Sequence, residues 1–159
     1  MLNNDILRRL QYALSLNEIK MHSIFKLTEL NITSKEIYNY IKKEEDPEFV
    51  LCPDLIMDKF LDGLIIFYRG KKDNAQSIKP AVKLTNNVIL KKLRIALQLK
   101  DDDILSILKS GLFEISKSEL SAIFRKEGQR NYKECKDQLL RKFLKGLTIK
   151  HRNTAKDIS

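Results

Sequence analysis

A chain of 159 residues that is 43% hydrophobic and 32% charged has the length of one domain or two small ones. No apolar run approaches the ~20 residues needed to span a bilayer, no charged and apolar leader opens the chain, and only two Cys and two His are present. These features argue against membrane insertion, secretion, a disulfide framework and a four-ligand zinc site, so the expectation is a cytoplasmic protein without a cofactor.

Self-similarity organises everything that follows. Sliding the chain by 83 positions lays NNDILRRLQYALSL (Asn3 to Leu16) on NNVILKKLRIALQL (Asn86 to Leu99), and the match continues without a gap to Arg69 on Arg152, with 24 identities over 67 positions. Composition alone does not keep Asn3 with Asn86, Cys52 with Cys135, Asp54 with Asp137 and Gly63 with Gly146. The chain is a tandem duplication. Its expected parts are a first repeat over 1–70, a linker over 71–85, a second repeat over 86–152 and a C-terminal tail over 153–159.

The two copies vote on each element. Ile6, Leu7, Leu10, Ala13 and Leu14, matched by Ile89, Leu90, Leu93, Ala96 and Leu97, have the spacing of one helical face. Asn3 or Asn4, and Asn86 or Asn87, are placed to cap that helix. A second helix is expected from about Glu18 and Asp101, carrying Met21, Ile24 and Phe25 opposite Ile104, Ile107 and Leu108. Thr33 with Glu36, and Ser116 with Glu119, read as capping boxes that start a third helix, and Ile32 with Ile37, and Ile115 with Leu120, read as hydrophobic staples. The fourth helix starts near Cys52-Pro53-Asp54 and Cys135-Lys136-Asp137, where Pro53 suits the first turn. It buries Phe60, Leu61 and Leu64 in one copy and Phe143, Leu144 and Leu147 in the other. No strand-like alternation competes, so the fold class is all-α, with four helices per copy. Gly63 and Gly146 inside the fourth helix cost ~1 kcal/mol each relative to alanine, and close approach of a neighbouring helix is the expected reason.

The doubled NN-x-x-L-[RK]-[RK]-L-x-x-A-L opening, Arg125-Lys126-Glu127, and the run from Cys135 to Leu147 resemble the YehS-like family of uncharacterised bacterial proteins, the domain of unknown function 1456. The resemblance covers nearly the whole chain. It implies a small cytoplasmic bacterial protein with a duplicated domain and carries over no activity and no catalytic residues.

Charge separates the copies. Residues 1–70 hold nine Lys and Arg against eleven Asp and Glu, while residues 86–159 hold seventeen against nine, which accounts for most of the net +9. That asymmetry points to a polyanion meeting the second repeat, with DNA or RNA the leading partner. The residues expected to meet it are Lys91, Lys92 and Arg94 on the first helix, Arg125, Lys126, Arg130 and Lys133 around the end of the third, and Arg141, Lys142 and Lys145 on the fourth. Solvated helix faces and helix C-termini also carry such charges without any partner. Basic pairs kept in both copies, Arg8-Arg9 with Lys91-Lys92 and Lys42-Lys43 with Arg125-Lys126, point to a shared use or to shared ion pairs with Glu44 and Glu127.

A helix-turn-helix is a further option, with a helix over Asp102 to Ser110, a turn from Gly111 through Ile115, and a recognition helix from Lys117 to about Lys126. Its turn is longer than usual, which favours phosphate contact over base readout. Catalysis has little support: His22 and His151 fall outside the repeated pattern, and neither a Ser, His and Asp arrangement nor a Gly-rich phosphate loop is visible. Cys52 and Cys135 read as small buried hydrophobes rather than reactive thiols. The expectation is a non-enzymatic binding module. A protein-interaction or regulatory adaptor module is the alternative, resting on the duplication, which builds two similar surfaces of different charge, and on Tyr38, Tyr40, Phe67 and Tyr68 as exposed aromatics.

Overall fold

The computed structural model describes residues 1–70 and 83–158. Among these the chain forms eight helices and no strand: α1 (Asn3–Ala13), α2 (Glu18–Lys26), α3 (Ser34–Tyr40), α4 (Asp54–Arg69), α5 (Asn86–Ala96), α6 (Asp101–Ser110), α7 (Lys117–Ile123) and α8 (Asp137–Ile158). Each helix of the second repeat begins 83 residues after its counterpart in the first. Most of the expected linker lies outside the described residues. What reads in sequence as a tail from 153 is helical through Ile158, because α8 continues past the end of the repeat.

Both expected capping boxes are present. Thr33 accepts the Glu36 N–H and Ser116 that of Glu119, while each glutamate side chain reaches back to the backbone N–H at its cap. The expected asparagine caps are not formed. Leu2 occupies the N-cap of α1 without a side-chain bond, and Thr85 caps α5 by accepting from the Val88 N–H. Pro53 sits one residue before α4, in extended backbone, rather than inside its first turn.

The asparagines hold the chain elsewhere. Asn4 is fully buried; its Nδ2 donates to the carbonyls of Tyr40 (3.0 Å) and Val50 (2.7 Å), and its Oδ1 accepts from the Cys52 N–H (2.9 Å). Asn87 repeats the pattern with Ile123, Lys133 and Cys135. Asn3 and Asn86 donate to the carbonyls of Cys52 and Cys135 and to the carboxylates of Asp54 and Asp137. Each Asn-Asn pair thus ties the first helix of its repeat to the segment that launches the fourth. This pairing satisfies backbone groups that an irregular segment would otherwise leave buried and unbonded.

Gly63 and Gly146 mark close helix crossings. A Cβ at Gly63 on α4 would overlap the carbonyl oxygen of Ile24 on α2, and one at Gly146 on α8 would overlap that of Ile107 on α6. At the second crossing Gly111 lies equally close to the α8 backbone at Lys142. Phe60 and Phe143 occupy the same place in the two repeats and are fully buried; Phe60 packs on Phe25 with ring centroids 5.3 Å apart.

The repeats share one core. The first helix of each repeat packs along the fourth helix of the other, α1 on α8 and α5 on α4, so the junction has two halves related by the 83-residue offset. Repeats of this size seldom bury enough apolar surface alone, and the reciprocal packing enlarges the core that both use.

Candidate nucleic-acid interface

The ten basic residues singled out in the second repeat meet different fates. Lys92 is a correction: it is buried at the α4–α5 junction, where its Nζ donates to Asp58 (2.6 Å) and Asp62 (2.7 Å) of the first repeat. A charge so enclosed cannot meet a phosphate; it joins the repeats. Burial pushes the Asp62 carboxyl above its ordinary range, against the opposing pull of the Lys92 ammonium.

Two others are engaged in ion pairs. Arg94 pairs with Asp101 at 2.8 Å and lies over the Phe124 ring, which joins α5 to the start of α6. Lys133 pairs with Glu119 at 2.9 Å, and this contact, with the Ser116 hydrogen bonds, holds the Glu119 carboxyl below its ordinary value. Both cations keep part of their surface in solvent, but each already has a counterion.

Lys91, Arg125 and Lys126 come together. All three are exposed and line one cavity of about 510 Å³ with Thr85, Val88, Phe124 and Tyr132, and among the described residues Glu127 is the single carboxylate in that lining. Arg125 donates to the Arg130 carbonyl at 3.0 Å, which ties the segment after α7 back on itself and keeps the exposed Arg130 beside it. The expected partners Glu44 and Glu127 are not the ones used by the retained basic pairs of the first repeat. There Arg8 pairs with Asp5 (2.7 Å), and Lys42 with Asp46 (3.7 Å) while lying over the Tyr38 ring.

The three residues of α8 separate. Arg141 is exposed, Lys142 is half-buried on the side of the Gly111 crossing, and Lys145 is exposed at the α1–α8 junction. There Lys145 faces a second cavity, of about 520 Å³, lined also by Arg8, Arg9 and Lys43 from the first repeat, with Tyr12, Leu144, Thr148 and Ile149. Arg8, Arg9 and Lys43 were not among the expected site residues. A signal for them lies in the alignment of the copies, where Asp58 and Asp62 stand opposite Arg141 and Lys145 while Arg9 stands opposite Lys92. The base at the junction keeps its sign while its acidic neighbours change theirs.

The helix-turn-helix does not form as expected. α7 has only seven residues and ends at Ile123, so Arg125 and Lys126 leave the helix that would have inserted into a groove. Lys117 at its start pairs with Asp102 at 3.5 Å. Cys52 and Cys135 are buried, and burial, reinforced by Asp54 and Asp137 respectively, pushes both thiols up to about 12, which leaves no thiolate near neutral pH. The Nε2 of His22 is 3.0 Å from the Ile32 carbonyl, a structural contact between α2 and the start of α3. Of the aromatics, Tyr38, Phe67 and Tyr68 are exposed, whereas Tyr40 is partly buried against the core. Among the described residues no helix is long and apolar enough to cross a membrane, and no group of three or more His, Cys, Asp and Glu is placed to hold a metal ion.

Comparison with known proteins places these features in a wider set. The family described as "Protein of unknown function (DUF1456)" matches the chain twice, over residues 3–70 and 86–153, which coincide with the two repeats. A relative in Escherichia coli (strain K12), "Uncharacterized protein YehS", is 42% identical over 150 residues, covering 94% of this chain and 96% of its own length. No solved structure matches the chain.

Proposed function

This chain belongs to the DUF1456 family, whose description names no activity, and from its geometry we propose a non-enzymatic nucleic-acid-binding module that uses the basic surface of the second repeat. The observation that carries this reading is the convergence of Lys91, Arg125 and Lys126 on one open cavity, with Glu127 as the only lining carboxylate among the described residues. Lysine and arginine gathered on one surface neutralise phosphates, while Tyr132 in the same lining offers aromatic surface for an unstacked base. The seven-residue α7 disfavours insertion of a recognition helix into a groove, so the reading is phosphate contact with little base readout.

Fluorescence anisotropy with labelled DNA and RNA oligonucleotides across a salt series tests it. Each phosphate neutralised adds ~0.9 to the slope of log affinity against log salt on duplex and ~0.7 on single strands. The double variant Lys91→Glu/Lys126→Glu is expected to weaken binding by about tenfold or more and to flatten that slope. Absence of binding by the unmodified protein at low salt refutes the reading.

A protein-interaction module is the second reading, favoured by a different observation. Most of the exposed large hydrophobic side chains among the described residues lie in the first repeat, including Ile19, Leu51 and Leu55. Crosslinking in cells followed by nuclease separates the two readings. A partner retained after nuclease and lost in Leu51→Asp/Leu55→Asp supports the second.

A further inference from the structure

The two halves of the repeat junction are alike in packing and opposite in charge. On the α4–α5 side, buried Lys92 is neutralised by Asp58 and Asp62. On the α1–α8 side the equivalent positions are Arg9, Arg141 and Lys145, so the base persists and both acids have become cations. The Nε of Arg9 is buried and finds no hydrogen-bond acceptor among the described residues. A buried guanidinium donor without an acceptor costs free energy that the Lys92 side does not incur.

We propose that the cavity at this half of the junction binds a phosphorylated small organic molecule, whose phosphate supplies the counter-charge that Asp58 and Asp62 supply to Lys92. Arg9, Lys43 and Lys145 line the cavity together with Arg8, and among the described residues no acidic one does. Among the described residues, Arg8 alone of these four cations is held by a carboxylate, that of Asp5. Several cations and no acid suit a phosphate group, which carries about two charges at neutral pH, better than a carboxylate that carries one. The volume of about 520 Å³ falls within the range of small-molecule sites and exceeds what a bare phosphate fills. Leu144, Ile149 and Tyr12 provide apolar walls for the organic body. Tyr12 is itself fixed, since the Arg152 guanidinium stacks 3.5 Å from its ring centre and donates to its carbonyl at 3.2 Å. Because the ligand touches both repeats, its binding stabilises the junction.

The test compares the full-length protein with Lys145→Asp, which rebuilds at position 145 the acid found at position 62 of the other half. Inorganic pyrophosphate and ADP serve as probes, at constant ionic strength with chloride as control. The unmodified protein is expected to show a saturable rise in melting temperature with both probes, larger with ADP, and saturable heats by calorimetry. Lys145→Asp is expected to melt no lower than the unmodified protein without probe, and to bind both at least about tenfold more weakly. Lys43→Ala, at an exposed position, is expected to weaken binding without loss of fold. Lys91→Glu/Lys126→Glu is expected to leave probe binding unchanged, which separates this site from the proposed nucleic-acid surface. No saturable response beyond chloride, or an undiminished response in Lys145→Asp, overturns the proposal.

Discussion

The side-chain oxygen of Asn4 accepts the backbone N–H of Cys52 at 2.9 Å, and 83 residues later Asn87 accepts that of Cys135 at 2.8 Å. In each case the same amide donates to two further carbonyls, so one buried side chain closes three backbone valences of an irregular segment. Asn4→Ala or Asn87→Ala would strand an N–H and two carbonyls, each costing ~1–3 kcal/mol when buried and unbonded. Urea denaturation is expected to show a loss of about 3 kcal/mol or more for either variant. Aspartate is expected not to rescue, because it keeps the acceptor and sets a carboxylate against two carbonyls.

Lys92 binds the repeats through two carboxylates of the first. Lys92→Met leaves Asp58 and Asp62 buried together without that ammonium and is expected to cost ~3–5 kcal/mol. The triple variant Lys92→Met/Asp58→Leu/Asp62→Leu is expected to recover most of that loss, since apolar side chains of similar volume carry no desolvation penalty. Chemical denaturation of both variants is the measurement, and a triple variant no more stable than Lys92→Met would contradict it.

Gly63 and Gly146 are required by backbone contact rather than by flexibility. Gly63→Ala and Gly146→Ala each place a methyl group against a carbonyl of the crossing helix, which cannot rotate aside as a side chain can. A loss of ~1–3 kcal/mol is expected for each. Ile19→Ala, on an exposed position of α2, serves as control and is expected to stay within about 0.5 kcal/mol of the parent.

Glu119 titrates below its ordinary value of 4.5, first because Lys133 bonds its carboxylate and next because of Ser116. A lowered folded-state value means that its contribution to α7 is present above the unfolded value and is lost as pH falls through the folded one. Side-chain NMR titration is expected to place its midpoint below that of an unpaired glutamate. Lys133→Ala is expected to raise it, and an unmoved midpoint in that variant would rule out the pairing as the main cause.

The fold class, the duplication and the helix starts at the two capping boxes were legible in the chain because they are set locally. A cap bond spans three residues, and an apolar face repeats every three or four. The placement of Gly63 and Gly146 inside the fourth helix also announced a close crossing, although only packing identified the carbonyls of Ile24 and Ile107 as its partners. Asn3 and Asn4 misled as caps because an asparagine before an apolar run satisfies the local rule, whereas its true acceptors lie 36 to 51 residues away. Charge was the least legible property. Net charge counts Lys92 with Lys91, but the helix turns one into the α4–α5 junction against Asp58 and Asp62 and the other into solvent. In the same way Lys145 of the second repeat meets Arg8, Arg9 and Lys43 of the first only because α1 packs on α8. Sequence determined what each repeat is. The reciprocal docking of first and fourth helices decided which charges are neutralised inside the molecule and which remain to meet another.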